Sequence, residues 1–522
     1  MLVWVYESQP TVLETCNTNS FQLSFGLGYV VARVELDSIN RISVKELLNG
    51  VFAGTISETE IIAATLNRIA ELDEIGPELR AVISRMDDTS HDRVPAIKRG
   101  PLLGLPVLVK DNIDTANYPT TAGSLALEGS KPQRNAPVVQ ALLDLGATVV
   151  GKTNLSEWSN FRGVNSISGW SGIGGQTRNP YVLDRSPGGS SSGSAVAVAA
   201  GYVPVALGTE TDGSIICPAA LNGVVGFKPT VGILPTTGVI PISSTQDTVG
   251  LFARFVPDIA FVFGELVRAL GRSHLFGGDF AMAFERRSRR TTGVRIGIPR
   301  IGFTGYSVKL DKVFENAIEA LGASGAIIID EIDTRFNVNF SYGIDDEVFV
   351  FHWEMYKELN RYLAERQVEG ISSIQDLIEF NERNAKLEMQ YFGQEHFEIA
   401  CEVGIEQHDK YFQRRMRNLN CTETSILTAL TLAQADVLCV PSMSPAWTID
   451  RVNGDSIAGS GYSVAAIAGV CSLNVPMGLV DGLPVGMTLF ASHHQDAKLL
   501  AIGTQIERVL SLNLTPGFHE TI

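Results

Sequence analysis

The sequence predicts an α/β protein, a single large domain with a central twisted mixed β-sheet covered by helices on both faces. Three observations carry that prediction. Short apolar runs such as LPVLV at 105–109 stop at turn formers or charges, the pattern of strands buried on both faces. Apolar residues also recur at helical spacing, as at Ile62, Leu66 and Ile69 behind the Ser57 and Glu60 capping box. The two patterns alternate along the chain, which marks a layered α/β architecture.

Taken in order, residues 1–35 show no clear period and read as an N-terminal extension, leaving 36–522 as one domain. A helix follows the capping box at Ser57, and 105–109 is the first buried strand. Residues 138–145 read as a helix closed by Gly146, with a strand at 148–150. AVAVAA at 195–200 reads as a buried helix, and 203–207 as a strand running into a glycine turn. Residues 310–425 are richer in helix formers and charge and predict a helical insert, with an amphipathic helix at 347–366. Strand-like runs return after Cys439, notably NVPMG at 474–478 and GLPVG at 482–486, and a closing helix is predicted over 496–510. No repeat or linker divides the chain.

With 522 residues, 45% of them hydrophobic, the chain buries a large core and is not disordered. Its 57 acidic against 41 basic residues give a net charge of −16, which speaks against a nucleic-acid partner. The basic run ERRSRR at 285–290 reads as a solvated loop. Six cysteines, including Cys16 and Cys217, are scattered without a C-x-x-C pair, so neither a disulfide framework nor a zinc site is expected. Nothing near His493 and His494 completes a metal-ligand set. Glu7 and Glu14 precede the first apolar run, which argues against a secretory leader, and residues 16–32 are too short to span a bilayer. A cytoplasmic protein without a membrane partner is expected.

The segment SPGGSSSGSA at 186–195 is linker-like in composition, yet its flanks are those of a folded domain. A phosphate-binding loop needs a lysine after its second glycine, where this chain has Ser194. The letters G-x-S-x-G put Ser191 at the centre of a nucleophile elbow, but Pro180 and Pro187 sit where a central strand should enter. A third reading looks to Ser214, after the turn GTETDG at 208–213, where free backbone N–H groups form an oxyanion pocket. Serine needs a base, and no histidine lies between His91 and His274. A buried, neutral lysine is the alternative. Lys110 and Lys152 both end apolar strands, and spacing does not choose between them.

Together, VKDN at 109–112, SPGGSSSGSA at 186–195 and GTETDGSI at 208–215 resemble the amidase signature family. NGVVGFKPT at 222–230 and the GLPVG segment extend the resemblance over roughly 40–515, and Glu157-Trp158, GGQTRNP at 174–180 and TETDG at 209–213 are most similar to its peptide-amidase branch. The resemblance implies a cofactor-free Ser–Ser–Lys triad: Ser214 as nucleophile, Ser190 as bridging serine behind a cis peptide bond, and Lys110 as base. It implies an oxyanion pocket from the amides of Thr211, Asp212, Gly213 and Ser214, with Ser191 counted in the oxyanion and substrate-binding set and, together with Ser192, supporting the loop.

One departure bears on substrate. Amidotransferase subunits and malonamate-type amidases of this family carry an arginine for a substrate carboxylate, and Cys217 stands in its place. Without a guanidinium, a small anionic substrate is disfavoured and a neutral or apolar amide is expected. Glu210 likewise replaces the aspartate of the family's common turn, a variant shared with the peptide-amidase branch. The expected activity is hydrolysis of a small-molecule amide or peptide amide through an acyl-enzyme. The alternatives are a glutamine-hydrolysing subunit of a tRNA-dependent amidotransferase and a non-catalytic or acyl-transferring member.

Overall fold

The computed structural model describes residues 42–86, 99–288, 293–330, 332, 336–404 and 407–522. Residues 1–35, expected as an extension, lie outside them. Among the described residues eleven strands form one sheet, in the order β1-β3-β2-β6-β8-β7-β12-β13-β11-β9-β10. These strands are β1 (Val82–Arg85), β2 (Pro106–Lys110), β3 (Thr148–Thr153), β6 (Val205–Glu210), β7 (Val225–Lys228), β8 (Thr248–Ala253), β9 (Arg295–Gly297), β10 (Ile327–Ile329), β11 (Val437–Pro441), β12 (Ser472–Val480) and β13 (Leu483–Phe490). A separate hairpin pairs β4 (Trp170–Ser171) with β5 (Gly175–Gln176). The sheet is mixed. β3, β2 and β6 are parallel neighbours, as are β11, β9 and β10, and antiparallel pairs from β6 to β11 join the two groups.

Both faces are covered. The helices Pro137–Asp144, Val256–Ala269, Val308–Ala323 and Asp496–Leu510 bury their apolar sides in one large cluster that includes Val107, Leu207, Leu251 and Leu473. The short helices Ser192–Ala199 and Ile216–Leu221 lie across the other face, against Leu108, Ala206 and Phe252. Ser192–Ala199 is buried on every side, which its Ser, Gly, Ala and Val composition allows because no side chain is long.

Local signals account for much of this. Ser57 accepts from the Glu60 N–H while Glu60 accepts from the Ser57 N–H, so the capping box forms in both directions. Pro137 opens its helix at the first turn, where a missing N–H costs nothing. Several boundaries differ from the sequence reading: the strand expected at 203–207 is Val205–Glu210, held three residues further by pairing with β8, and the helix expected at 347–366 starts at Phe336. The buried helix expected at 195–200 begins at Ser192, inside the Gly/Ser segment, because Ser and Gly side chains there leave the backbone free to pack. The basic run expected as a loop is helical through Ser288, with Arg286 and Arg287 exposed on the last turn of Phe280–Ser288, where cations suit the helix dipole.

The helix-rich stretch divides. Val308–Ala323 packs on β12 as part of the main domain, whereas Phe336–Arg366, Ile374–Arg383 and Glu395–Val403 gather around their own apolar cluster. That cluster includes Phe351, Met355 and Leu359 of the first helix and Phe397 of the third, packed on Leu127, Trp158, Phe161 and Ile240. The insert therefore sits over the loops that leave the carboxyl ends of β2 and β3. Among the described residues no helix is long and apolar enough to cross a membrane.

Candidate active site

The carboxyl ends of parallel strands collect functional loops in α/β sheets, and here β2 and β6 end side by side, with Val109 paired to Leu207. Lys110 is the last residue of β2. Its Nζ donates to Ser190 Oγ at 2.7 Å and to Thr209 Oγ1 at 2.8 Å. The side chain has no exposed surface, and burial pushes the amine down to about 7, against the opposing pull of the Asp247 and Glu210 carboxylates. Asn112 Nδ2 donates to the same Thr209 hydroxyl at 2.9 Å.

The Gly/Ser segment is not a linker, because nearly every hydroxyl in it has a fixed partner. The Gly189–Ser190 peptide is cis, as the family resemblance implies. A Cβ at Gly189 would meet Ser156 Oγ at 2.2 Å, so only glycine fits. The Ser190 carbonyl accepts from Ser156 N at 3.1 Å. Ser191 Oγ donates to the Thr209 carbonyl at 3.0 Å and accepts from Thr209 N at 3.2 Å, while Ser191 N donates to the Ser214 carbonyl at 3.1 Å. Ser192 Oγ donates to the Gly188 carbonyl at 2.5 Å, and Ser194 Oγ to the Leu207 carbonyl at 2.8 Å. Ser191 is thus tied down on both sides and fully buried, which removes the nucleophile-elbow alternative and leaves it no surface for the substrate contact expected of it; His274, the histidine an elbow would need, is exposed.

Beyond β6 the chain turns through Thr211, Asp212, Gly213 and Ser214. Gly213 has a φ of 79°, and a Cβ there would lie 2.3 Å from the Tyr462 ring, so the turn requires glycine twice over. Among the described residues no acceptor is bonded to the N–H of Thr211, Asp212 or Ser214. The Gly213 N–H is drawn toward Glu210, whose carboxylate also takes the N–H of Ile215 at 2.7 Å and Ile216 at 2.9 Å. Ser214 keeps 8% of its surface exposed while Lys110 and Ser190 keep none, so it is the member of this set that a substrate can touch.

Lys152 is the contrasting lysine. It lies one strand over, next to the last residue of β3, equally buried, but Asp111 Oδ1 is 3.2 Å away and its Nζ donates to Ile113 O, Thr120 Oγ1 and Pro119 O. Every proton of that ammonium is used, and it has no path to Ser190. Cys217 is buried among Tyr181, Met443, Trp447 and Tyr462, where burial raises its thiol to about 12 and the Gly189 N–H points at its sulfur. Trp158 is buried edge-on against Phe397, and Trp170 packs on Phe392, so both are core residues. The five described cysteines carry no disulfide.

Sequence reasoning missed Thr209, Asp247 and Glu347. Thr209 sits within the quoted turn motif but looks like an ordinary strand residue. Asp247 and Glu347 are far away in sequence and carry no local signal.

A family model for amidases matches residues 60–500. The chain belongs to the amidase signature family. It is a hydrolase of linear amide C–N bonds. It is similar to the native peptide amidase of Stenotrophomonas maltophilia, at 40% identity and a TM-score of 0.83 over 91% of this chain and 98% of that one. It is also similar to a Schizosaccharomyces pombe chain named as an amidase, 32% identical over 92% of this chain and 87% of the relative. The glutamyl-tRNA(Gln) amidotransferase of Symbiobacterium thermophilum has a component that is 32% identical over 88% of this amidase and 96% of that component.

Proposed function

We propose that this amidase works through Ser214, Ser190 and Lys110, and that its substrate is an uncharged amide of the C-terminal peptide-amide class. The observation that carries the mechanism is the 2.7 Å contact of a buried amine, brought to about 7 by desolvation, with Ser190 Oγ. A neutral Lys110 accepts the Ser190 proton as Ser190 takes the proton of Ser214, and the Ser214 oxygen attacks the amide carbon. The C–O bond forms as the carbonyl π electrons move onto oxygen. The unbonded backbone N–H groups of Thr211, Asp212 and Ser214 are the donors for that charge, the Gly213 N–H of the expected set being taken by Glu210. Collapse breaks the C–N bond, with the leaving nitrogen taking the proton back from Lys110 through Ser190. Water then repeats the sequence on the acyl-enzyme, releasing the carboxylic acid.

Two features support the substrate class. The similarity to the peptide amidase spans nearly the whole chain. Cys217, where the resemblance places an arginine in other branches, is an uncharged, buried thiol, which has no attraction for a carboxylate. Residues 36–522 act as the amidase domain in this reading, with 1–35 an extension. No cofactor enters any step.

The test is ammonia release across acetamide, aryl and fatty amides, blocked dipeptide amides and free glutamine, with Ser214→Ala as control. Turnover of the blocked dipeptide amides, lost in Ser214→Ala, is expected. Preference for glutamine would instead favour the amidotransferase reading, and hydroxamate formed with added hydroxylamine at the expense of acid would mark acyl transfer. Unchanged turnover in Ser214→Ala would refute the mechanism.

A further inference from the structure

The turn that carries Ser214 is gripped from a third direction, by the insert. Glu347 and Glu354 lie two turns apart on the helix Phe336–Arg366, hence on one face of it. Glu354 holds the loop before β8: its Oε2 accepts from Ser243 Oγ at 2.5 Å, and its Oε1 from Thr245 Oγ1 at 2.9 Å and Tyr411 OH at 2.7 Å. That loop in turn holds the Ser214 turn. Thr211 Oγ1 donates to Asp247 Oδ1 at 2.6 Å, and Gln246 Nε2 reaches the Thr211 carbonyl at 3.4 Å. The same Gln246 nitrogen donates to Glu347 Oε1 at 2.7 Å. Glu347 then closes the circuit, because its carboxyl is hydrogen-bonded to that of Asp212.

Two carboxyl groups in contact, Glu347 buried and Asp212 half-buried with its Oδ1 enclosed, do not both carry charge at neutral pH. Asp212 Oδ1 is buried with no N–H or O–H donor among the described residues. The O–H of a protonated carboxyl is the donor the arrangement leaves for this contact. Burial and mutual repulsion push both groups up. Around the pair, Glu210 adds negative charge and Lys228 positive charge, while Tyr462 and Cys217 are held neutral by burial and Ser463 is an uncharged partner of Asp212. Asp346, next to Glu347 on the helix, is engaged by Arg417 at 2.7 and 2.8 Å.

We propose that Asp212 and Glu347, sharing one proton, are a positioning device for the hydrolysis: they fix the free N–H groups of Thr211, Asp212 and Ser214 and make their alignment depend on the seating of the insert. This rests on the reading of Ser214 as nucleophile. Ionisation of the second carboxyl at high pH sets two charges against each other and loosens the turn, so kcat falls on the alkaline side.

The experiment compares Glu347→Ala and Glu347→Gln in the full chain, on the amide turned over fastest in the hydrolysis panel. The alanine variant is expected to lose about 10- to 100-fold in kcat, the scale of a misaligned reacting geometry, with KM within about twofold. The glutamine variant, whose amide donates to a charged Asp212, restores most of that kcat at neutral pH and removes the alkaline fall. Infrared difference spectra between neutral and alkaline pH read the proton without turnover. A protonated-carboxyl band is expected to bleach in the wild type and to be weaker by one group in Glu347→Gln. Full kcat in the alanine variant, failure of glutamine to rescue, or an unchanged band overturns the proposal. If the alanine variant does not fold, the glutamine variant and the infrared signal decide alone. Loss of turnover in Ser214→Ala on the same amide shows that the nucleophile reading survives whichever way the pair falls.

Discussion

Lys110 and Lys152 lie at the carboxyl ends of adjacent parallel strands, last and next to last, both fully buried, yet one is left available for chemistry and the other is built into the scaffold. Lys152 faces Asp111 and three further oxygens, so its charge is neutralised and its hydrogens are consumed. Lys110 has two hydroxyls within 2.8 Å and no carboxylate bonded to it among the described residues. Desolvation lowers both amines, but only for Lys152 does an ion pair directly oppose it. Burial alone therefore does not make a base. Burial next to hydroxyls, without a counter-ion in contact, does.

Exchanging the lysines one at a time breaks this comparison most severely. Lys110→Met is expected to cost on the order of 10³-fold or more in kcat with the fold intact, the scale set when one member of a catalytic unit is removed. Its thermal stability rises rather than falls. The parent's folded amine titrates near 7, below its unfolded value of about 10.4. The cost of burying that amine is complete below pH 7 and fades as pH rises toward the unfolded value, so the gain in Lys110→Met is largest below pH 7. Lys152→Met is expected to do the reverse, destabilising by about 3–5 kcal/mol because Asp111 is left charged and unpaired in the interior. Denaturant unfolding beside kinetics checks both.

Smaller changes sharpen the contrast. Thr209→Val removes the second hydroxyl on Lys110 and is expected to lower kcat about 10-fold, the worth of one hydrogen bond to a charged group. The wild-type kcat/KM is expected to rise with pH through about 7 as Lys110 loses its proton. Asp247→Asn moves that midpoint down, because the Asp247 charge favours the ammonium. Cys217→Ala is expected to stay within about twofold of wild-type kcat, as a small buried side chain outside the proton path should.

The sequence made the periodic elements and the hydroxyl-rich loop readable, since capping boxes, apolar spacing and glycine turns are local. The helix at 496–510 was accessible in that way, whereas the turn expected at 208–213 begins only at Thr211, because pairing with β8 carries the strand on to Glu210. Spacing could not distinguish Lys110 from Lys152, because their difference lies in Asp111, Thr120, Thr209 and Ser190, brought near by strand pairing. Family resemblance, not physics, supplied that choice. Glu347 and Asp247 were beyond reach for the same reason: an acid on an amphipathic helix or in a polar loop reads as solvated until the insert is seated over the turn. The helix Val308–Ala323 shows the converse limit. It shares the composition of the insert, yet Leu310, Phe314 and Leu321 commit it to the main sheet.

The most direct measurement is an NMR titration of lysine side chains labelled with ¹³C at Cε, comparing wild type with Lys110→Met. One resonance with a midpoint near pH 7, absent from the variant, is the predicted result. A Lys110 signal that stays protonated to pH 9 or above would mean that the amine beside Ser190 cannot accept a proton at neutral pH, and would contradict the account.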